Sequence, residues 1–291
     1  MKWNRYSKYG FFFAAPAFLY FLAVFFYPLF LSLWDSFRRI EFISHTNKWV
    51  GLTQYSILFT DQRFYQSAGV TGLYVLITVP SLIILALILA GGVTSMGRRT
   101  RNALSVIYFL PVVSSMVAAG IVWQWLLDPT LGLVNNVLQA IGINTSIRWF
   151  LGPSTSLISV VIVGVWARVG FDLILLSGAM LTVPEVYYEA SVMDGLGRIG
   201  QFFRITLPLI NPQIVVVSTL ELIFAFQVFD QINVTTHGGP GVATNTVMIY
   251  LINDVFSVDY GEACALTAVL LAVLFLVSYL QRRVVRRAVQ Y

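Results

Sequence analysis

Residues 184–212 read PEVYYEASVMDGLGRIGQFFRITLPLINP and form a polar segment between two long apolar runs. Pro184 suits the first turn of a helix because its missing N–H would be unpaired there, and Thr182 is positioned to cap that helix. The helix is expected to stop at Gly195, and a second short helix is expected over 198–206. The left-handed turn between the helices is assigned to two glycines, Gly195 and Gly197. The segment is therefore predicted to be a helix, a glycine turn and a second helix.

The first predicted helix carries a small apolar stripe, because Val186, Ala190 and Met193 are spaced at i, i+4 and i+7. Glu189 and Asp194 place carboxylates beside this stripe. A short amphipathic surface of this kind is suited to a groove in another protein.

Composition indicates a membrane protein with many spans. Hydrophobic residues make up 58% of the 291 residues and charged residues only 11%, whereas about a quarter of the residues in soluble domains are charged. The net charge of +5 comes from short basic clusters at the ends of apolar runs. This distribution favours membrane orientation over binding to nucleic acid. The single cysteine, Cys264, excludes an intrachain disulfide.

Six apolar runs are long enough to cross a bilayer as helices. The first follows basic residues but has full span length and ends in aromatic residues, so it is expected to be retained and not cleaved as a signal peptide. Pro111 is expected to kink the third. We predict an all-α polytopic protein, one transmembrane domain over 1–291, with spans at about 11–34, 67–91, 104–126, 156–183, 209–229 and 263–281.

The distribution of basic residues predicts the orientation of these spans. The N-terminal tail, the cluster 98–101, the segment 184–212 and the C-terminal tail hold twelve Lys and Arg residues, and the alternate loops hold five. Because cytoplasmic loops carry the excess of Lys and Arg, both termini and the loop 184–208 are expected in the cytoplasm. The positions expected outside are His45, Asn144 and His237.

The polar segment resembles the cytoplasmic loop of the inner-membrane permeases of ATP-binding-cassette importers. That loop carries E-A-A, then D-G-A three residues on, then I-x-L-P and a further proline. The matching residues here are Glu189-Ala190, Asp194-Gly195, Phe202, Ile205, Leu207-Pro208 and Pro212. Ser191 and Leu196 depart from the pattern, each standing where the family has alanine. The resemblance implies a type I importer permease fold with a cytoplasmic coupling helix, and it implies contact with an ATPase through Glu189, Ala190, Ser191, Asp194 and Gly195.

Two further stretches resemble the sugar permeases related to the maltose-transport subunits. Residues 49–55, WVGLTQY, are similar to the family's V-G-L-x-N-Y stretch, and residues 236–244, THGGPGVAT, resemble its T-x-G-G-P loop. The resemblance implies a carbohydrate or related polyol as solute and a place in a bacterial or archaeal cytoplasmic membrane. It also implies four kinds of partner besides the bilayer: a second permease, two ATPase subunits, an external solute-binding protein and the solute.

Three charged residues lie within the predicted fourth and fifth spans, where a charge is costly and commonly functional. Arg168 and Asp172 are one helical turn apart, and Glu221 lies about as far from the loop as Arg168 does. Arg168 and Glu221 are therefore expected at one depth near mid-bilayer, facing the permease interior. They either contact solute or form a structural pair. In the family, solute contacts come from these two spans, which gives a predicted pathway of Arg168, Phe171, Asp172, Glu221, Phe224 and Gln227.

The sequence contains no P-loop motif and no His/Cys cluster at metal spacing. We therefore expect no ATPase site, no cofactor and no metal in this chain. Two other classes remain open at this point, an ion-coupled secondary carrier and an intramembrane enzyme. A carrier often shows inverted repeats or discontinuous helices, neither of which is evident in the sequence. An enzyme would need a catalytic cluster, and the charged set consists of the three residues above.

Overall fold

The computed structural model describes residues 5–41, 44–143 and 146–286. The helices are α1 (Arg5–Phe21), α2 (Tyr27–Asp35), α3 (Thr53–Thr60), α4 (Gln62–Thr94), α5 (Arg98–Val113), α6 (Met116–Leu126), α7 (Leu133–Ala140), α8 (Ser156–Leu181), α9 (Glu185–Met193), α10 (Arg198–Gln201), α11 (Leu207–Phe226), α12 (Asp230–Thr235), α13 (Val247–Tyr250) and α14 (Tyr260–Arg286). Short π-helical turns lie at Leu22–Phe26, Phe202–Thr206 and Leu251–Val255. Two antiparallel strands, β1 (Arg38–Glu41) and β2 (Thr46–Trp49), form a hairpin that the sequence did not predict.

The architecture is that of an α-helical polytopic membrane protein. Within the described residues, five helices are long and apolar enough to cross a membrane, and there are six if α5 and α6 count as one broken span. Of the positions expected outside the membrane, Asn144 lies outside the described residues, and both His45 and His237 adopt left-handed backbone angles in loops. The predicted loops also contain short helices, α7 and α12.

The third predicted span is not a single kinked helix. Helices α5 and α6 meet at an angle of 98°, and the break lies at Ser114 and Ser115, beyond Pro111. The carbonyl oxygen of Pro111 accepts bonds from the backbone N–H and hydroxyl of Ser114, at 3.1 and 2.7 Å, which closes the last turn of α5. Both serines are extended, and Ser115 caps the start of α6. The bend therefore comes from two successive serines that leave the helical conformation.

The chain divides into two units, the first consisting of Met1–Gln62 with Leu251–Val273. Asp259 is the organising residue of this unit and is almost fully buried. Its carboxylate accepts bonds from the N–H groups of Ile40 and Gly261 and from the side-chain amide of Gln54, at distances of 2.8 to 3.1 Å. One buried carboxylate thus joins the hairpin, α3 and the start of α14.

The first span is largely exposed between residues 12 and 35. From α1 through the π turn at Leu22–Phe26 to α2 the helix is continuous, and no residue of its most apolar window is buried by the rest of the chain that the structure describes. Its aromatic side chains are therefore left for lipid or for another subunit.

The second unit consists of Arg63–Tyr250 with Leu274–Tyr291, and α8 lies at its centre. More than half of the 26 residues of α8 are buried. One apolar cluster surrounds Val160 and Val163, and a second surrounds Val169 and Leu176. At Gly170 the backbone of α8 lies against α5 so closely that a Cβ would sit 1.8 Å from the carbonyl oxygen of Tyr108. Tight packing on α8 fixes the positions of its polar residues.

Candidate functional site

Arg168 on α8 and Glu221 on α11 form a bidentate ion pair. Arg168 Nε donates to Glu221 Oε2 at 2.7 Å, and Nη2 donates to Oε1 at 2.6 Å. The Glu221 side chain is 1% exposed and the Arg168 side chain 29% exposed. The two side chains are in direct contact, which is compatible with their equal separation from the loop. Two parallel charge-assisted bonds offset much of the cost of holding these charges in an apolar span.

Two aromatic rings lie around the Arg168 guanidinium. Its central carbon lies 3.8 Å from the centre of the Phe224 ring and 5.7 Å from that of Phe171. The shorter contact is a cation–π interaction, in which the negative ring face attracts the cation. Phe224 keeps 46% of its surface exposed. The guanidinium is therefore held on two sides, by Glu221 and by the ring of Phe224.

The ion pair lies in the wall of a cavity of about 260 Å³. Of the six residues predicted for the pathway, four line this cavity: Arg168, Glu221, Phe224 and Gln227. The volume is near the lower end of the range for small-molecule sites. The cavity therefore has room for a small solute or for one unit of a larger one.

Asp172 and Phe171 are not part of the cavity lining. Asp172 is fully buried one turn from Arg168, and neither of its carboxyl oxygens accepts a hydrogen bond from another described residue. Asp172 is thus buried outside the lining of the cavity. Across the described residues, no three His, Cys, Asp or Glu side chains are grouped so as to hold a metal ion.

Tyr74 and Gln231 line the cavity and were not predicted from the sequence. The side-chain amide of Gln231 donates to the Tyr74 hydroxyl at 2.6 Å, and both residues are buried. Gly164 on α8 makes this contact possible, because a Cβ there would lie 2.7 Å from the Tyr74 hydroxyl and 3.0 Å from Gln231 Nε2. A polar bridge between α4 and α12 therefore passes over a glycine of α8.

The cavity lies where two helices are interrupted. Ser114 and Met116 line it at the break between α5 and α6, and Gln227 and Phe229 line it between α11 and α12. Gln124 of α6 donates to the carbonyl oxygens of two α12 residues, at 2.8 and 3.0 Å. Irregular backbone at membrane depth is tolerated where it borders a polar cavity. The two breaks are therefore typical of a solute path.

The polar segment is folded as helix, turn and helix, with three differences from the prediction. Gly195 has a φ of +76°, as a left-handed exit requires. Gly197 has a φ of −77° and precedes α10. Thr182 ends α8, its hydroxyl bonded to the carbonyl oxygen of Ala179, and does not cap α9. The second helix passes through the π turn at Phe202–Thr206 directly into α11, so Leu207-Pro208 does not interrupt it.

Four of the five predicted coupling residues are exposed: Glu189, Ala190, Asp194 and Gly195. Ser191 is buried and faces the second helix instead. Its hydroxyl donates to the carbonyl oxygen of Tyr188 at 2.7 Å and accepts from Gln201 Nε2 at 2.9 Å. Ser191 therefore holds the two halves of the segment together.

Apolar side chains of the first loop helix are turned away from the chain. Val186 is 69% exposed and Met193 is 88% exposed. Ala190 of the same predicted stripe is also exposed. An apolar stripe left open beside carboxylates is typical of a protein interaction site.

Comparison with known proteins gave consistent matches. Residues 62–290 match the family described as "binding-protein-dependent transport system inner membrane component". The chain is 34% identical to the probable ABC transporter permease protein YurN of Bacillus subtilis strain 168, over 93% of this chain and 94% of that protein. It is 32% identical to the sulfoquinovosyl glycerol transport system permease protein SmoG of Agrobacterium fabrum, over 94% and 88%. It is 28% identical to the trehalose/maltose transport system permease protein MalF of Thermococcus litoralis, over 95% and 94%.

A solved structure has the same fold. A chain in the crystal structure of a bacterial ABC transporter involved in the import of the acidic polysaccharide alginate superimposes with a TM-score of 0.81 at 22% identity, and 94% of each chain is covered. At this identity the likeness concerns the fold alone. The structural neighbour thus shares the fold described above.

Proposed function

The chain belongs to the family of binding-protein-dependent transport system inner membrane components, and we propose that it forms the solute pathway of an ATP-driven importer for a carbohydrate or related polyol. As a membrane component of such a system it does not hydrolyse ATP itself, and that reaction belongs to other subunits. The carbohydrate assignment is supported by relatives whose names specify trehalose/maltose and sulfoquinovosyl glycerol. Those names include both neutral and charged cargoes, so they leave the charge of the solute open.

The cavity beside the Arg168–Glu221 pair carries this proposal. It combines an exposed aromatic face, Phe224, with polar groups that converge from α4, α8 and α12. Sugar rings present C–H faces that suit an aromatic ring, and hydroxyls that suit amides and charged groups. We propose that Arg168, Glu221, Phe224 and Gln227 contact solute, and that Phe171 and Asp172 support the ion pair from behind.

The exposed face of α9 is proposed to couple the permease to its ATPase. Glu189 and Asp194 lie beside the open stripe of Val186 and Met193, which gives an acidic, partly apolar surface that fits a groove with a basic residue. On this proposal, ATP closes the ATPase dimer and the segment 185–204 transmits the movement. The permease then switches from inward-facing to outward-facing.

The partners follow from the same proposal: a second permease, two ATPase subunits and an external solute-binding protein. The family's description specifies a binding protein. The unburied first span, residues 12–35, offers an apolar surface to a second permease or to lipid. We place the protein in the cytoplasmic membrane of a bacterium or archaeon, with both termini inside.

The experiment that tests the coupling proposal is co-purification of the permease with its ATPase. Glu189→Lys reverses a charge in the proposed contact, so we expect the ATPase to be lost or reduced at least tenfold in the purified complex. Ser95→Lys adds the same positive charge at an exposed turn outside the segment and is expected to leave assembly unchanged. Full assembly and transport of the Glu189→Lys variant would place the ATPase contact elsewhere on the permease.

An ion-coupled secondary carrier was the main alternative. The expected absence of discontinuous helices was one argument against it, and that expectation is wrong. The sequence showed no discontinuous helix, but the structure contains one at Ser114 and Ser115. The family match is what argues against a carrier, since it names a binding-protein-dependent system. A permease that purifies without any ATPase and still transports solute down an ion gradient would restore the carrier.

A further inference from the structure

We infer that the cavity beside the Arg168–Glu221 pair selects an uncharged, hydroxyl-rich solute and discriminates against anionic ones. The inference rests on the proposed function, because it assumes that this cavity is the solute pathway. It goes further by assigning the charge of the solute, which the names of the relatives leave open.

The basic side chain that lines the cavity, Arg168, is already paired with Glu221. Among the residues that the structure describes, Arg168 is the one basic side chain that borders the cavity. Two of its five N–H groups are donated to Glu221, and the guanidinium carbon lies 3.8 Å from the ring centre of Phe224. The charge of this guanidinium is already balanced by Glu221, and an anionic solute could take that charge for itself only by displacing Glu221. Glu221 is 1% exposed, so its charge would be left buried without a partner, which is strongly unfavourable.

Besides the ion pair, the lining holds one charged side chain among the described residues, and it is negative. Asp230 lies exposed at the cavity edge, and no basic side chain pairs with it within the described part of the chain. Arg168 neutralises Glu221, so Asp230 has no positive charge left over to balance it. An uncompensated acidic group beside low-dielectric walls repels anions and favours cations or neutral molecules.

The uncharged groups of the lining suit hydroxyls. Gln227 provides an amide that can both donate and accept, Gln231 keeps its amide oxygen as an acceptor, and Tyr74 provides a phenolic oxygen. Phe224 presents a half-exposed ring beside them. Arg168 retains N–H groups beyond the two given to Glu221, and these can donate to a neutral hydroxyl without breaking the pair. A polyol or neutral sugar therefore meets partners without displacing any existing bond.

The test uses the full transporter in nanodiscs, assembled with its own second permease and ATPase subunits. Direct solute binding is measured by titration without the binding protein, so that the selectivity of that protein does not enter. The probes are matched neutral and anionic pairs: glycerol with sn-glycerol-3-phosphate, glucose with glucuronate, and a methyl-esterified oligogalacturonate with the free acid. We expect the neutral member of the best-binding pair to bind at least tenfold tighter.

Two variants test the cause of the selectivity. Glu221→Gln frees the guanidinium of Arg168, so the preference for the neutral member is expected to fall at least fivefold, by a gain in binding of the anion. Asp230→Asn removes an exposed charge that plays no part in packing and is expected to strengthen anion binding about threefold. Glu41→Gln removes one acidic charge from the exposed hairpin, outside the cavity lining, and is expected to leave every affinity unchanged.

The outcomes separate the inference from the proposed function. Tighter binding of the anionic member to the wild type would overturn the inference, while the binding itself would uphold the pathway. An unchanged preference in both Glu221→Gln and Asp230→Asn would also overturn it. If no solute binds, and none stimulates ATP hydrolysis when the binding protein is added, both the inference and the proposed function fail.

Discussion

Arg168 is the residue on which the proposed solute path is expected to depend most directly. It connects α8 to α11 through Glu221 and presents its remaining surface to the cavity. Arg168→Ala and Glu221→Ala are each expected to lower transport at least tenfold. Stimulation of ATP hydrolysis by the loaded binding protein should persist, because the loop and the ATPase contacts are untouched. Uptake in proteoliposomes and ATPase rate, measured on the same preparation, check this.

Arg168→Ala also leaves Glu221 buried without its partner, which typically destabilises a protein by about 3–5 kcal/mol. The exchange Arg168→Glu with Glu221→Arg restores the pair and separates this effect from solute contact. We expect the exchanged protein to be stable but slow in transport, since the cation now projects from α11. Full transport by the exchanged pair would show that the pair serves structure alone.

The charged residues of the site could be predicted from the sequence, but the hydrogen bond between Tyr74 and Gln231 could not. Arg168 and Glu221 are evident in the sequence because a charge in an apolar run is rare, and counting turns from the loop gives them one depth. Tyr74, Gly164 and Gln231 give no such signal. Their contact depends on where α4, α8 and α12 cross, and each residue is ordinary in its own helix. Asp172 was placed in the path by its charge alone, and its side chain is buried outside the lining of the cavity.

The contact of α5 with α8 can be tested with two glycines of the same helix. A Cβ at Gly170 would overlap the backbone of Tyr108, whereas a Cβ at Gly178 meets nothing within 4 Å. Gly170→Ala is expected to force the helices apart and to destabilise the protein by about 1–3 kcal/mol or more. Gly178→Ala should be neutral or slightly stabilising, by up to about 1 kcal/mol, because alanine favours the helix. Thermal unfolding in one detergent compares them, and equal melting temperatures would contradict the close contact.

The turn of the coupling segment offers a second matched pair. Gly195 has a φ of +76°, a conformation that L side chains rarely adopt, and Gly197 has a φ of −77°. Gly195→Val is therefore expected to distort the turn and to uncouple ATP hydrolysis from transport, with the protein still present in the membrane. Gly197→Val keeps an allowed φ and has open space around it, so it is expected to retain most transport. Coupled transport in both variants would mean that the turn tolerates other backbone angles.

Element boundaries were predictable where a local signal sets them. The glycine turn at Gly195 and the start of α9 after Pro184 depend on residues within a few positions of each other. The third span differs because Pro111 fits inside the last turn of α5, and the 98° break follows at two serines. Serines are common in continuous helices, so nothing in the sequence around them marks this break. The β-hairpin is stabilised by Asp259, which is more than 200 positions away along the chain.

At the scale of the whole molecule, the orientation in the membrane is the prediction to be tested. The excess of basic residues places the loop 184–208 inside the cell and the loop 236–244 outside. Gly195→Cys and Val242→Cys are both exposed positions for a membrane-impermeant thiol reagent applied to intact cells, and Cys264→Ser supplies the background. We expect labelling of Val242→Cys at least tenfold above that of Gly195→Cys. Strong labelling at Gly195→Cys alone would reverse the orientation and remove the coupling role.

The helical stretch that leaves the loop at Arg198 and runs without a break to Phe226 gives the molecule a lever arm. Glu221 is carried on that stretch, about 35 Å from Arg198 at 1.5 Å of rise per residue. A rod of this length that tilts by about 6° at its loop end carries Glu221 through roughly 3.6 Å, which is longer than either bond it makes to Arg168. Unless α8 swings with it, a rotation of the loop too small to unfold any helix is enough to break the ion pair and change the shape of the cavity.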